Sequence, residues 1–301
     1  MLIYTNQSAS IKDNKIYLSK DIIIDIPKYK DFNKFQQIRI LHLYGNIFEI
    51  EIIYEEECKN IELDYEKYAS IDLGLNNLIT LVSQHKPLLI SGKQLKSYNQ
   101  YYNKRKAYLQ SIKDKMNIKD YTKQLRILEL NRKNYIKDYL HKVSRIVINY
   151  LIHNRIGTLA VGYNKGCKDC ITLGNKNNQA FVLIPLWKLV NYLRYKCELV
   201  GIRFEVSEES YTSKCDALVL EKLERKEEYV GKRLKRGLFQ SSIGKLINAD
   251  INAALNILRK VVNDSVAKQI IDTGLLFNPV KIRNLFSISL QTKMLKILYS
   301  F

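Results

Sequence analysis

Apolar positions along this chain follow two periods. In residues 1–66, and again in 67–91, they come in short runs broken by polar turns, whereas from Lys93 to Arg155 they recur at helical spacing. The first pattern predicts strands at Met1 to Tyr4, Lys15 to Leu18, Ile22 to Ile26, Ile38 to Leu43 and Ile47 to Tyr54. Turns such as Asp13-Asn14 and Gly45-Asn46 separate them, as in a small antiparallel sheet or partial barrel. The acidic run Glu55-Glu56-Glu57 reads as a solvated linker at a domain boundary. Three closely spaced strands follow, Tyr68 to Gly74, Leu78 to Val82 and Leu88 to Ile90. In the helical stretch Leu140, Val143, Val147, Tyr150 and Leu151 share one face, and Met116-Asn117-Ile118 marks the break of a helical hairpin.

The later elements are a strand from Thr158 to Val161, a helix opened by Pro185 and closed near Gly201, and a strand from Ile202 to Val206. Leu186, Val190, Leu193 and Cys197 line one face of that helix. Periodicity is lost through Lys232 to Arg236. A final helix then opens at its cap, Asn248, with Ala253, Ala254 and Ile257 as a close-packing face. Three strands, a helical hairpin, strand, helix, strand, insertion and helix is the order of an RNase H-like sheet. The expected fold class is therefore α+β or α/β, with a mixed RNase H-like sheet over residues 67–262. It carries the basic hairpin at 93–155 and a basic insertion at 210–247, and lies between a partial β-barrel at 1–66 and a tail at 263–301.

Charge adds a partner. Lys and Arg number 49 against 30 Asp and Glu, a formal +19, which asks for an anionic partner unless it reflects coding bias alone. Lys104, Arg105, Lys106, Arg126, Arg132, Lys133 and Lys137 load the hairpin, with tyrosines 98, 101, 102, 108, 121 and 135 interleaved. Such a face suits a phosphate backbone with occasional stacking; a solvated lysine-rich helix has the same pattern. His141, Lys142, Lys214, Lys232, Arg233, Lys235 and Arg236 complete the candidate nucleic-acid-binding set. No apolar stretch approaches a membrane span and no N-terminal signal pattern is visible, so a cytoplasmic protein without a membrane partner is expected. Nor is a small-molecule substrate expected. Five cysteines, Cys58, Cys167, Cys170, Cys197 and Cys215, fit reduced thiols. Cys167 and Cys170 form one C-x-x-C without a second ligand pair, and His42, His85, His141 and His153 form none, so no zinc is expected and any catalytic metal would be held by oxygen.

Asp72 sits inside an apolar strand, just before Gly74-Leu75-Asn76-Asn77. A carboxylate there is costly unless paired or metal-bound. Asp250, in the first turn of the last helix, and Glu209, just past the fifth strand, complete a possible set. In the expected sheet a residue ending the fifth strand must reach across about two spacings of 4.8 Å, which favours Glu over Asp. Three carboxylates match hard Mg²⁺ or Mn²⁺, and two such ions can drive phosphodiester hydrolysis. The alternative reading is a turn residue, a helix-start acid favoured by the dipole and a surface carboxylate.

Ser70-Ile71-Asp72-Leu73-Gly74-Leu75-Asn76-Asn77-Leu78-Ile79-Thr80 and Asn248-Ala249-Asp250-Ile251-Asn252-Ala253-Ala254 resemble the first and third RuvC motifs of the insertion-sequence-encoded TnpB (OrfB) family. Lys137 to Ser144 and Glu209 to Lys214 are also similar to it, so the resemblance spans about 67–262. It implies an RNA-guided, metal-dependent DNA endonuclease with guide RNA and DNA as partners, and Asp72, Glu209 and Asp250 as ligands of Mg²⁺ or Mn²⁺. The alternative is a cleavage-deficient or truncated RNA- and DNA-binding relative; strand-transfer transposition is a third possibility. Most of that family carries its second acid directly after the fourth strand, where this chain has Gly162-Tyr163-Asn164. A subset resembles this sequence, with Gly-Tyr-Asn-Lys there and a glutamate before Ser-Tyr-Thr-Ser-Lys, which makes Glu209 the candidate and Glu208 its rival. The family's four-cysteine zinc ribbon would fall between Cys215 and Lys245, where only Cys215 remains. The resemblance further implies that the N-terminal strands are part of the family's β-barrel wedge domain, with the chain expected to start inside it.

Overall fold

The fold is that of a computed structural model, which describes residues 1–19, 22–26, 34–164 and 184–285. Cys167, Cys170, the Gly174 to Gln179 loop and the chain beyond Leu285 lie outside the described residues. The chain divides into two units, Met1–Cys58 and Lys59–Phe301.

The first unit comprises β1 (Leu2–Thr5), β2 (Ser10–Lys12), β3 (Lys15–Ser19), β4 (Ile22–Asp25), β5 (Phe35–Tyr44) and β6 (Ile47–Tyr54). They form two three-stranded antiparallel sheets, β1-β5-β6 and β2-β3-β4. Ala9, Ile16, Leu18 and Ile38 are buried in its core, with Tyr4, Ile24, Ile40 and Ile52 packed against them. Strand β2 was not expected, because Ser-Ile-Lys carries no alternation long enough to read. The turn after it was legible: Asp13 and Asn14 both take positive φ, 49° and 59°, the hairpin geometry that Asp and Asn tolerate best.

In the second unit come β7 (Asp64–Leu73), β8 (Asn77–Ser83), β9 (Leu88–Ser91), α1 (Lys93–Lys115), α2 (Lys123–His153), β10 (Ile156–Gly162), α3 (Leu186–Glu198) and β11 (Arg203–Ser207). They are followed by β12 (Lys232–Lys235), β13 (Leu238–Gln240), β14 (Leu246–Asn248), α4 (Ala249–Val261), α5 (Asp264–Asp272), a 3₁₀ turn at Leu275–Phe277 and β15 (Val280–Ile282). The mixed sheet runs β11-β10-β7-β8-β9-β15. Its first five strands have β7 at the centre, β10 and β11 parallel on one side, and the antiparallel β8 and β9 on the other. Strand β15 comes from residues expected in a tail; it pairs parallel with β9 and buries Ile282. Three residues are too few to show a strand period, so only pairing with the sheet edge reveals it.

Alternation in β7 sorts its side chains between the two faces. Ala69, Ile71 and Leu73 join Leu140, Val143, Val147 and Leu151 of α2 and Leu189 and Leu193 of α3 in one core. Ser70 points the other way, its hydroxyl donating to the Ala254 carbonyl at 2.6 Å. On that face Ile251, Ala254, Leu255 and Leu258 of α4 pack with Ala267 and Ile270 of α5.

The insertion between β11 and α4 is ordered by hydrogen bonds. Buried Asp216 accepts from the Ser241 hydroxyl at 2.6 Å, the Ser242 amide at 2.8 Å and the Leu218 amide at 3.1 Å. Glu221, also buried, accepts from the Asp216 amide at 2.8 Å and pairs with Lys226 at 3.1 Å. Asn252, Asn256 and Arg259 of α4, spaced as one helical stripe, bind the loop carbonyls of Cys215, Thr212, Leu220 and Glu221. Cys215 is buried and donates weakly to the Lys222 carbonyl at 3.5 Å. A carboxylate network, rather than four thiolates, thus ties this segment together. Asp216→Ala strands several buried donors and is expected to destabilise the chain by about 3 kcal/mol or more, while a zinc chelator leaves the unfolding midpoint of the wild type unchanged; urea titration measures both.

Candidate active site

Strand β7 and helix α4 bring two acids together by simple geometry. Ser70 meets Ala254. Two residues further along the strand is Asp72, and one turn back along the helix is Asp250; both steps are about 6 to 7 Å, so the two side chains arrive at the same end of the interface. The Asn248 side chain caps α4 by accepting from the Asp250 and Ile251 amides at 2.9 and 3.3 Å. Asp250 accepts at Oδ2 from Asn77 Nδ2 at 2.8 Å, and its Oδ1 lies 3.8 Å from Arg233 Nη2.

Glu209 arrives from the other side. Gly162 pairs with Ser207 in β11, and Val161 before it pairs with Ile71. Two residues beyond Ser207, Glu209 folds back over β10. A Cβ on residue 162 would lie 3.0 Å from Glu209 Oε1, 3.1 Å from its Cγ and 2.4 Å from Ile257 Cδ1. Any side chain at 162 would therefore force Ile257 to move and press on Glu209. Asn164 Oδ1 accepts from the Glu209 amide at 3.1 Å, and Thr212 donates to the Glu209 carbonyl at 2.8 Å. Glu208 is exposed, accepts from Ser210, and lines a different cavity of about 930 Å³ with Tyr163, Trp187 and Arg194.

The electrostatics centre on Asp72. Burial pushes its carboxyl well above the usual range, with Asp250 and Glu209 adding to the shift and Arg233 opposing it. Burial likewise raises Glu209 to about 6, against the pull of Lys260. Asp72 and Asp250 line a cavity of about 390 Å³ together with Asn76, Asn77, Lys93, Arg233 and Arg236. Among the described residues, no three His, Cys, Asp or Glu side chains stand as a ready metal-ligand group. The donor chemistry nevertheless fits a hard cation: Asp250 and Glu209 both act on buried Asp72, and the Arg233 guanidinium offsets part of that effect.

The basic residues separate into groups. Lys104 and Arg105 are exposed on α1, with Arg105 5.0 Å over the Tyr108 ring. Lys133 and Lys137 are exposed on α2, and Arg126 on the same helix is half-buried. Lys106 and Arg132 instead face between the two helices, on Glu129 at 3.3 Å and Asn99 at 2.9 Å, while Lys142 pairs with Asp138 at 2.7 Å. His141 lies apart from them, half-buried and stacked on Tyr192 at 4.0 Å; burial, with Lys196 nearby, pushes it down to about 4. Lys214 is exposed near the Tyr229 ring, and Lys232, Arg233, Lys235 and Arg236 are exposed on and after β12. Asn77, Asn164 and the polar stripe of α4 were not identified from the sequence. Asn77 lies in the first RuvC-like motif, Asn164 follows the fourth strand of that sheet, and Asn252, Asn256 and Arg259 recur at helical spacing, but nothing local marks their partners.

Several known proteins are similar to parts of this chain. The OrfB_IS605 family model, described as "Probable transposase", matches residues 51–168, and the model "Cas12f1-like, TNB domain" matches residues 187–257. The TnpB-like protein ORF457 of Acidianus two-tailed virus is 28% identical over 279 residues, covering 77% of this chain and 57% of that protein. Two solved structures are also similar. One, of a Cas12f1–sgRNA–target DNA complex, has a TM-score of 0.49 and 20% identity, covering 70% of this chain and 52% of that one. The other, of a CRISPR-Cas12f ternary complex, has a TM-score of 0.47 and 18% identity, covering 75% and 46%. Over these two stretches the chain is similar to the OrfB_IS605 and Cas12f1-like TNB families, and over 77% of its length to a TnpB-like protein. It spans little more than half the length of the curated relative it matches. No helix among the described residues is long and apolar enough to cross a membrane.

Proposed function

We propose that this chain is a transposon-associated, RNA-guided DNA endonuclease in which Asp72, Glu209 and Asp250 hold Mg²⁺ or Mn²⁺. The observation that carries the reading is buried Asp72, whose carboxyl is held up by burial and by Asp250 and Glu209 beside it, with Glu209 lying against Gly162. Bound ions would supply an activated water and a stabilised leaving oxygen. The chain's own residues orient the acids: Asn77 fixes one oxygen of Asp250, Asn164 and Thr212 fix the backbone of Glu209, and Arg233 lowers the cost of ionising Asp72. RuvC-type RNase H-like architecture supports the same reading through its strand order, with the hairpin of α1 and α2 as an insertion.

A second reading, an RNA- and DNA-binding relative that does not cut, is favoured by the absence of a ready ligand group among the described acids. Cleavage of single-stranded and duplex DNA by the chain, co-expressed with its flanking RNA, separates the two. Metal must displace any proton on Glu209, which is held up to about pH 6, so cleavage and Mg²⁺ affinity are expected to rise with pH through 6. Below it they fall by about tenfold per unit for each proton released. Stability of the metal-free chain runs the other way, because a carboxyl raised above its unfolded value near 4.3 destabilises the fold as it ionises. A rate independent of pH between 5 and 7 removes Glu209 from the site; tight RNA binding with no cleavage at any pH favours the non-cutting relative.

A further inference from the structure

Three cations around the cavity of the acids have no carboxylate partner among the described residues. Lys93 and Arg236 line the same 390 Å³ space as Asp72 and Asp250. Lys96, one turn along α1 from Lys93, is half-buried, and the partner of its Nζ is the neutral Asn76 Oδ1 at 2.9 Å. The first turn of α1 carries no acid. Burial, Arg236 and Lys93 together push the Lys96 ammonium below its usual range, the mark of cations crowded without a counter-charge. Arg233, by contrast, has Asp250 within 3.8 Å. Adjacent residues of one turn separate the charges: Asn77 holds Asp250 and Asn76 holds Lys96.

Like charges held together in a half-buried site store repulsion that an anion relieves. We propose that Lys93, Lys96 and Arg236 form a phosphodiester-binding subsite that grips a backbone phosphate of the DNA strand passing the acids. The inference rests on the nuclease reading for the identity of that strand; the grip itself is a matter of binding. Lys93 and Arg236 line the cavity that receives the phosphate, and Lys96, oriented by Asn76, adds a half-buried charge that solvent screens less than a surface lysine. Gripping one phosphate sets which neighbouring phosphodiester lies at the carboxylates, so these residues position the strand without touching the reacting atoms.

The test is affinity for a short single-stranded DNA, and for RNA of the same sequence, across 50 to 200 mM salt in the full chain carrying Asp72→Asn. Lys96→Gln with Arg236→Gln is compared with Lys268→Gln and Lys188→Gln, which remove the same charge elsewhere. The subsite pair is expected to weaken DNA binding about tenfold or more and to flatten the salt dependence by about 0.7 for each phosphate no longer neutralised. It is also expected to raise the melting temperature, because repulsion is removed; a merely structural role would lower it. Affinity and slope equal to the control pair overturn the proposal, as does a weakening confined to RNA. Because these variants do not cut, failure of the nuclease reading leaves the binding result intact. If the wild-type chain cuts, a cleavage position unmoved by the subsite pair overturns the positioning role.

Discussion

Asp72→Asn is expected to reduce DNA cleavage by roughly 10³-fold or more and, in the metal-free chain, to raise the melting temperature. On the proposed metal site, removing one ligand oxygen forfeits several kcal/mol of transition-state stabilisation, each 1.36 kcal/mol being about tenfold in rate. The gain in stability has a separate origin. Asp72 is buried beside Asp250 and Glu209, and its carboxyl is held well above the usual range. In the unfolded chain it ionises near pH 3.9, so from that pH upward the unfolded state releases a proton that the folded state retains, and stability falls until the folded group ionises. Asparagine fills the same volume without this penalty. The stability difference should therefore be absent below about pH 4 and present at neutral pH, where each kcal/mol relieved is worth about 2–4 °C. Adding Mg²⁺ should stabilise the wild type by mass action and leave the variant unmoved. Calorimetry at two pH values, with and without metal, measures all three effects. Lower stability of the variant at neutral pH would show that Asp72 is a satisfied structural carboxylate.

Gly162→Asp is expected to disable the chain even though it adds an acid where the common family pattern carries one. Its Cβ would meet Ile257 Cδ1 at 2.4 Å and Glu209 Oε1 at 3.0 Å. Overpacking of this kind costs about 1–3 kcal/mol, and the cheapest relief is to displace Glu209, which brings a second like charge into an already crowded site. Loss of at least about 10²-fold in cleavage is expected, since a displacement near 1 Å is enough for that. Combining Gly162→Asp with Glu209→Ser and Ile257→Val removes both obstacles and restores three acids. That triple variant is expected to regain Mg²⁺-dependent stabilisation and part of the activity. If Gly162→Asp alone cut as well as the wild type, the space at 162 would not be the seat of Glu209.

Much of the architecture was visible in local pattern. Strand runs of alternating or continuous apolar residues, the helical period of the hairpin, the break at Met116-Asn117-Ile118 and the Asn248 cap each depend on neighbours a few positions apart, so sequence spacing carries them. The same holds for the oddity of Asp72, an acid in an apolar strand. Strands β2, β12, β13, β14 and β15 escaped, because three or four residues set no period, and for β15 the pairing partner β9 also lies far away in the chain. The candidate site was legible as residue types and not as an arrangement. Asn77 and Asp250 are 173 positions apart, and Asn252 reaches the Cys215 carbonyl across 37. Nothing in either residue's surroundings in the chain announces the other. By itself the sequence determined the order of elements and the chemistry available to them. Tertiary structure alone decided that Glu209 packs against Gly162, that the α4 stripe pins the loop carrying it, and that Lys93 and Arg236 share the acids' cavity, because each follows from packing between segments brought together only by the folded sheet.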